Sequence, residues 1–131
     1  MTKLQIKAQP VLGVDVSGPY TYHEMYENKP VYKHKTEDLY LWYQGWWKVD
    51  TGDWYNSDKA EPVGYIRSEV DVGCPELVDT GYWKYYDDNM AHTGITVTHG
   101  KITKLDFFCR CRNYIFIFFL FFNFDSFQNQ L

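Results

Sequence analysis

Between Leu39 and Val49 the chain reads LYLWY-QG-WWKV, two runs of aromatic and β-favouring residues separated by Gln44-Gly45. Such a pattern predicts a hairpin with a two-residue loop, because glycine at the second loop position suits a primed turn whose twist matches its strands. Leu39, Leu41 and Tyr43 then share one face, and Tyr40 and Trp42 the other. Both faces carry large side chains, so the hairpin is expected at the centre of a sheet.

The rest of the first hundred residues repeats this theme in shorter runs. Leu12, Val14 and Val16 alternate up to Gly18-Pro19, which predicts a first strand from Val11, with residues 1–10 as an N-terminal extension. Tyr20 to Tyr26 leads through a turn at Asn28-Lys29-Pro30 to Val31, Tyr32 and His34. Val63 to Ser68, Gly81 to Asp87 and Gly94 to Thr98 supply further strands, the last two joined through Asp87-Asp88-Asn89. No helix of ordinary length is visible. About eight extended runs at intervals of roughly ten residues predict an all-β fold, a small antiparallel sandwich or barrel. Trp47 and Trp83 are assigned to its core.

Composition changes abruptly near residue 100. All nine Phe lie between Phe107 and Phe127, while all five Trp, five Pro and nine Gly precede residue 101. The net charge is -6 over the first 100 residues and +2 over the last 31. Residues 101–131 lack Ala, Gly, Pro and Val, as translated AT-rich non-coding DNA would, and Gly100-Lys101-Ile102 can be encoded with a GTAAA intron start. The tail therefore reads as intron read-through lying outside the core of a β module at 11–100. As a membrane anchor its apolar run, Tyr114 to Phe122, falls short of the about 20 residues a helical span requires. A buried or aggregation-prone strand is the third reading.

The acidic balance, net -4 for the chain, argues against nucleic acid as a partner, since phosphate binding draws on Lys and Arg. No membrane span and no secretory signal peptide is read in the chain as written. His23-Glu24 begins like a zinc motif, but Glu27 stands where the second His belongs. No metal site is assigned; Asp50, Asp53, Asn56 and Asp58 crowd one polar loop and are weak calcium candidates that serve equally as turn formers. Neighbouring carboxylates such as Glu37 and Asp38 point to opposite faces of an extended chain, and no nucleophile, P-loop or dinucleotide motif is present. No catalytic residue and no cofactor is implied.

Trp54 and Tyr55, on the same polar loop, are the ring pair expected to reach the surface and contact a ligand, with covering one end of the sheet as the alternative role. Cys74 is either a buried thiol or half of a disulfide. Cys109 and Cys111 stand too close together for a metal site.

In order, the chain carries Gly18-x-Tyr20, Asn28-x-Pro30-Val31-Tyr32, Leu39-Tyr40-Leu41-Trp42-Tyr43, Trp47-x-Val49, Cys74-Pro75, Trp83-Lys84 and Ile95-x-Val97. Over residues 11–98 this resembles an extracellular repeat module of large secreted or cell-surface invertebrate proteins. It departs from that pattern in lacking Gly after Asn28 and a Cys after the last strand. The resemblance implies an extracellular location, a modular context and a disulfide role for Cys74. The resulting expectation is a non-enzymatic adhesion, matrix or recognition module with a protein or glycan partner. A carbohydrate-binding module using loop aromatics comes second, and a small hydrolase working through carboxylates third.

Overall fold

The computed structural model describes residues 3–57, 64–86, 91–92 (backbone only) and 94–100. Among them the strands run β1 (Lys3–Lys7), β2 (Gly18–Tyr26), β3 (Lys29–His34), β4 (Leu39–Tyr43), β5 (Trp47–Thr51), β6 (Ile66–Ser68), β7 (Trp83–Tyr85), β8 (Ala91–His92) and β9 (Thr96–His99). The helical content described is one four-residue turn, α1 (Gly52–Tyr55), and a 3-10 turn at Pro75–Leu77. No helix among the described residues is long and apolar enough to cross a membrane.

All the strands belong to one sheet in the order β8-β7-β6-β5-β4-β3-β2-β1-β9, and each neighbouring pair is antiparallel. The first eight form a meander, and the ninth returns to the free side of β1. This return forces the sheet to curl. Nine strands laid flat would hold the two edges about 38 Å apart, yet only three residues separate His92 from Thr96, a reach of at most about 14 Å. The result is a nearly closed barrel, with β4 and β5 at the centre of the sheet as the hairpin pattern predicts.

The interior is filled by side chains. Leu4, Ile6, Tyr20, Tyr32, Leu41, Trp47, Val49, Ile66 and Trp83 come from seven strands in succession and are fully buried in one cluster. Alternation within each strand delivers them, since every second residue faces inward. Two of the buried polar atoms find partners within this frame: the Tyr20 hydroxyl donates to the Val16 carbonyl at 2.8 Å, and Trp47 Nε1 donates to the Val72 carbonyl at 3.3 Å. Burial also drives the Tyr20 hydroxyl well above the usual phenol range. Trp47 and Trp83 are both core residues, as assigned.

Four local expectations are corrected. Residues 1–10 are no mere extension: Leu4 and Ile6 are fully buried in β1, which pairs with both β2 and β9. Their alternation (Leu4, Ile6 against Lys3, Gln5, Lys7) is short, and the longer run beyond Val11 outweighed it. That run is not a strand. Val11 and Val14 exchange backbone hydrogen bonds across a tight turn with Leu12 and Gly13 at positive φ, and Gly18-Pro19 opens β2 instead of ending a strand. The β4–β5 loop holds three residues, with Tyr43 opposite Trp47 and Gln44 N–H donating to the Trp46 carbonyl. The turn placed at Asn28-Lys29-Pro30 lies one residue earlier, at Glu27-Asn28, both at positive φ. Val63, the Asp87-Asp88-Asn89 turn and the tail at 101–131 lie outside the described residues.

Candidate functional site

Two surfaces stand out once the interior is accounted for. The first is an aromatic shelf on the outside of β2 to β5. Tyr40 and Trp42 alternate with Leu39 and Leu41, so they face outward and gather with Val31 in a second cluster, against which Tyr26, Trp54 and Tyr55 pack. A β-bulge creates part of this cluster. In β2 the register slips between Tyr22 and Glu24, so Tyr20 and Tyr22 join the inner cluster whereas Tyr26, four residues on, joins the outer one.

The α1 turn lays Tyr55 flat over Tyr40 and edge-on to Trp42, with ring centroids 5.2 Å apart in the second pair. His23 meets both Tyr40 and Tyr55 edge-on. The Tyr55 hydroxyl donates to the Glu24 carboxylate. Burial first, and then the adjacent Glu24 charge, raise this hydroxyl far above its ordinary range, so it stays protonated as a donor. Cations border the shelf: Lys33 Nζ lies 5.5 Å from the Tyr40 ring centroid, and Lys48 Nζ lies 5.5 Å and 5.3 Å from those of Trp42 and Trp46.

The second surface is a groove of about 490 Å³ at one end of the barrel, lined by Gly13, Val14, Asp15, Ser17, His34, Glu37, Asp38, Leu39 and Thr51. His34 organises it. The imidazole is 6% exposed. Its Nδ1 accepts from the backbone N–H groups of Thr36 and Glu37, each at 3.1 Å, and its Nε2 lies 2.9 Å from the Ser17 carbonyl. Two donors aimed at Nδ1 require a lone pair there, which assigns the neutral tautomer with the proton on Nε2 donated to Ser17. Gly18 makes room for the ring: with φ of 126°, a Cβ at this position would stand 2.6 Å from Nε2.

Asp15, Glu37 and Asp38 are exposed on the groove rim. Asp15 accepts from Ser17 N–H at 3.0 Å and Glu37 from the Thr36 hydroxyl at 3.3 Å, so both also hold local chain geometry. Leu12, at the tip of the adjoining turn, is 61% exposed.

The residues singled out from sequence fall in different places. Trp54 and Tyr55 are half-buried against the outer cluster, so they cover the sheet while presenting part of each ring to solvent. Asp50 is buried in β5, where it accepts from Thr51 N–H at 2.7 Å. Burial raises its carboxyl above the ordinary range, against the pull of the Thr51 amide and the Lys48 charge. Asp53 and Asn56 are exposed on and after α1, Asp58 lies outside the described residues, and no cluster able to hold a metal occurs among the described residues. Cys74 is fully buried and disulfide-bonded, with its partner outside the described residues. His23 and Glu24 approach to 3.9 Å on the rim of the shelf.

Sequence reasoning passed over the groove. Asp15 and Ser17 on the β1–β2 connection, His34 at the end of β3, Asp38 on the β3–β4 connection and Thr51 at the end of β5 are brought together by the pairing of β2 to β5, and no local pattern links them. One signal was present: Gly18 stands where a strand former would otherwise serve, which marks a close approach by another group. Compared with known protein families, curated proteins and solved structures, the chain matches none.

Proposed function

We propose that this chain is a non-enzymatic recognition module of an extracellular protein, serving adhesion or matrix assembly, and that it meets its partner on the outside of the barrel. The observation that carries this reading is the filled interior. Tyr20, Tyr32, Trp47 and Trp83 close the space in which a ligand-carrying barrel would hold its cargo. Recognition is therefore left to outer surfaces, and the groove beside exposed Leu12 combines an apolar anchor with acidic and hydroxyl groups.

The resemblance to repeat modules of secreted proteins supports the extracellular setting, and the oxidised state of Cys74 agrees with it. A hydrolase would need one carboxyl kept protonated by an apolar environment. Asp15, Glu37 and Asp38 are instead exposed, and two of them brace the chain beside them.

The second reading, a carbohydrate-binding module, is favoured by the shelf: half-buried Trp54, Tyr55 and Tyr26 offer ring faces bordered by His23, Glu24 and Lys33, the mixture on which sugars stack and hydrogen bond. Arrays of glycans and of matrix proteins, probed with the full chain and with two variants, separate the readings. Binding to a matrix protein that Leu12→Ser abolishes and Trp54→Ala spares supports the first. Glycan binding lost in Trp54→Ala replaces it with the second.

A further inference from the structure

We infer that His34 is an acid-sensitive clasp on one wall of the end groove, so that the groove has one shape at neutral pH and another in a mildly acidic setting. The ring ties three pieces of chain together: its own strand β3, the Ser17 carbonyl ahead of β2, and the Thr36 and Glu37 amides of the connection to β4. The two bonds accepted by Nδ1 need the neutral ring, whereas the Nε2 donation to Ser17 is open to either charge state.

When Nδ1 takes a proton from solvent, an acceptor becomes a donor that faces two other donors. Both amide bonds are then lost, and the connection from Lys35 to Asp38 has to move away or the ring has to turn out. The groups around it set the direction. Asp15 from the β1–β2 connection and Glu37 and Asp38 from the β3–β4 connection line the same groove. Tyr20 of β2 meets the ring edge-on at 4.9 Å. On the ring's own stretch of chain, Lys33 Nζ lies 3.5 Å and 3.4 Å from the His34 and Glu37 carbonyls, and Lys35 is exposed. Gly18 fills the inner side and leaves no room for retreat. An imidazolium therefore moves toward the three carboxylates, into the groove, and away from the barrel. Histidine as a residue type is the side chain that ordinarily changes charge between about pH 5 and 8.

Its use in partner release rests on the groove being the binding surface; the switch itself does not, and it is read in the free protein. Nitrogen-resolved NMR of the full chain between pH 8 and 5 follows the His34 ring nitrogens together with the Thr36 and Glu37 amides. At pH 8 the ring shows a protonated Nε2 and a bare Nδ1. As it titrates, both amides shift with the same midpoint, and their exchange with solvent speeds up about tenfold or more. In His34→Gln, which offers a donor and an acceptor without titrating, the two amides hold their positions over the same range. Amides unmoved while the ring titrates, a ring still neutral at pH 5, or the same amide titration in the Gln variant would each overturn the proposal. Should the variant fail to fold, the shared midpoint in the native chain decides by itself.

Discussion

Tyr55 lies on Tyr40 with ring centroids 4.5 Å apart and planes 13° from parallel, so the short α1 turn is fastened to the outer face of β4 by a stacked pair. Offset stacking adds about 0.5–1.5 kcal/mol beyond the area it covers. Tyr55→Ala is expected to lower stability by about 1–3 kcal/mol, and Tyr55→Phe, which keeps the ring and loses only the hydrogen bond to Glu24, by about 1 kcal/mol or less. Denaturant midpoints of the two variants check this. Equal losses would mean that the hydroxyl and not the stacking holds the turn.

The two core tryptophans should respond differently to the same change. Trp47 Nε1 donates to the Val72 carbonyl, whereas Trp83 Nε1 is buried with no hydrogen-bond partner among the described residues. Replacement of either by Ala is expected to cost about 3–5 kcal/mol. Trp47→Phe additionally strands a carbonyl, and Trp83→Phe removes an unsatisfied donor, so the first should be the more destabilising by about 1 kcal/mol. Chemical denaturation of both Phe variants decides it, and the reverse order would refute the hydrogen-bond argument.

Asp50 makes stability depend on pH in a definite direction. Its folded carboxyl is raised by burial, so the native state binds the proton more tightly than the unfolded chain does. The stability it contributes is therefore full below the unfolded value of about 3.9 and is lost as pH rises through the higher folded value. Asp50→Asn removes the ionised form and should be more stable than the native chain at pH 7, with the difference shrinking toward pH 3. Thermal melts at the two pH values show it. A variant less stable at pH 7 would mean that the attraction of Lys48 outweighs desolvation.

Leu12 and Gly18 sit at positive φ for opposite reasons. Leu12 (φ 52°) is exposed, and no fold requirement selects leucine there; Leu12→Asn should stabilise by roughly 0.5–1 kcal/mol, because Asn tolerates that conformation. At Gly18 a Cβ would meet the His34 ring, so Gly18→Ala should cost about 2 kcal/mol or more. Calorimetry on the pair gives both signs. A neutral Gly18→Ala would show that the ring shifts freely, which would also weaken the clasp.

Cys74 is buried and oxidised, so it should resist thiol alkylation until a reductant is added. Peptide mapping without reduction identifies the partner. Within this sequence the other cysteines are Cys109 and Cys111; a bridge to either would count against the intron reading of residues 101–131, and sequencing the transcript settles that reading directly.

Much of the barrel is legible along the chain. The LYLWY and WWKV runs mark the central pair, and strict alternation separates Leu39 and Leu41 from Tyr40 and Trp42, because side chains of a strand can only alternate; which face turns inward is seen only in the folded barrel. Turn residues mark most of the strand ends to within a residue or two. The misplacements share a cause. Val11 to Val16 alternates as well as any strand but is used as a tight turn and a crossing, and Lys3–Lys7 became a strand because β2 and β9 both offer it an edge. Pairing partners, not local pattern, settled the contest.

What the sequence determined by itself is the all-β class, the division of the central hairpin's residues between two faces and the identity of the tryptophans that fill the interior, since each follows from side-chain period and size. Tertiary structure alone decided the curl of the sheet, the face change at the β2 bulge and the meeting of Asp15, His34, Asp38 and Thr51 at one end. The curl follows from the return of the ninth strand to the first, and the bulge and the end groove from the register between neighbouring strands β2 to β5. Pairing acts between residues separated in the chain, and no local pattern states the register they adopt.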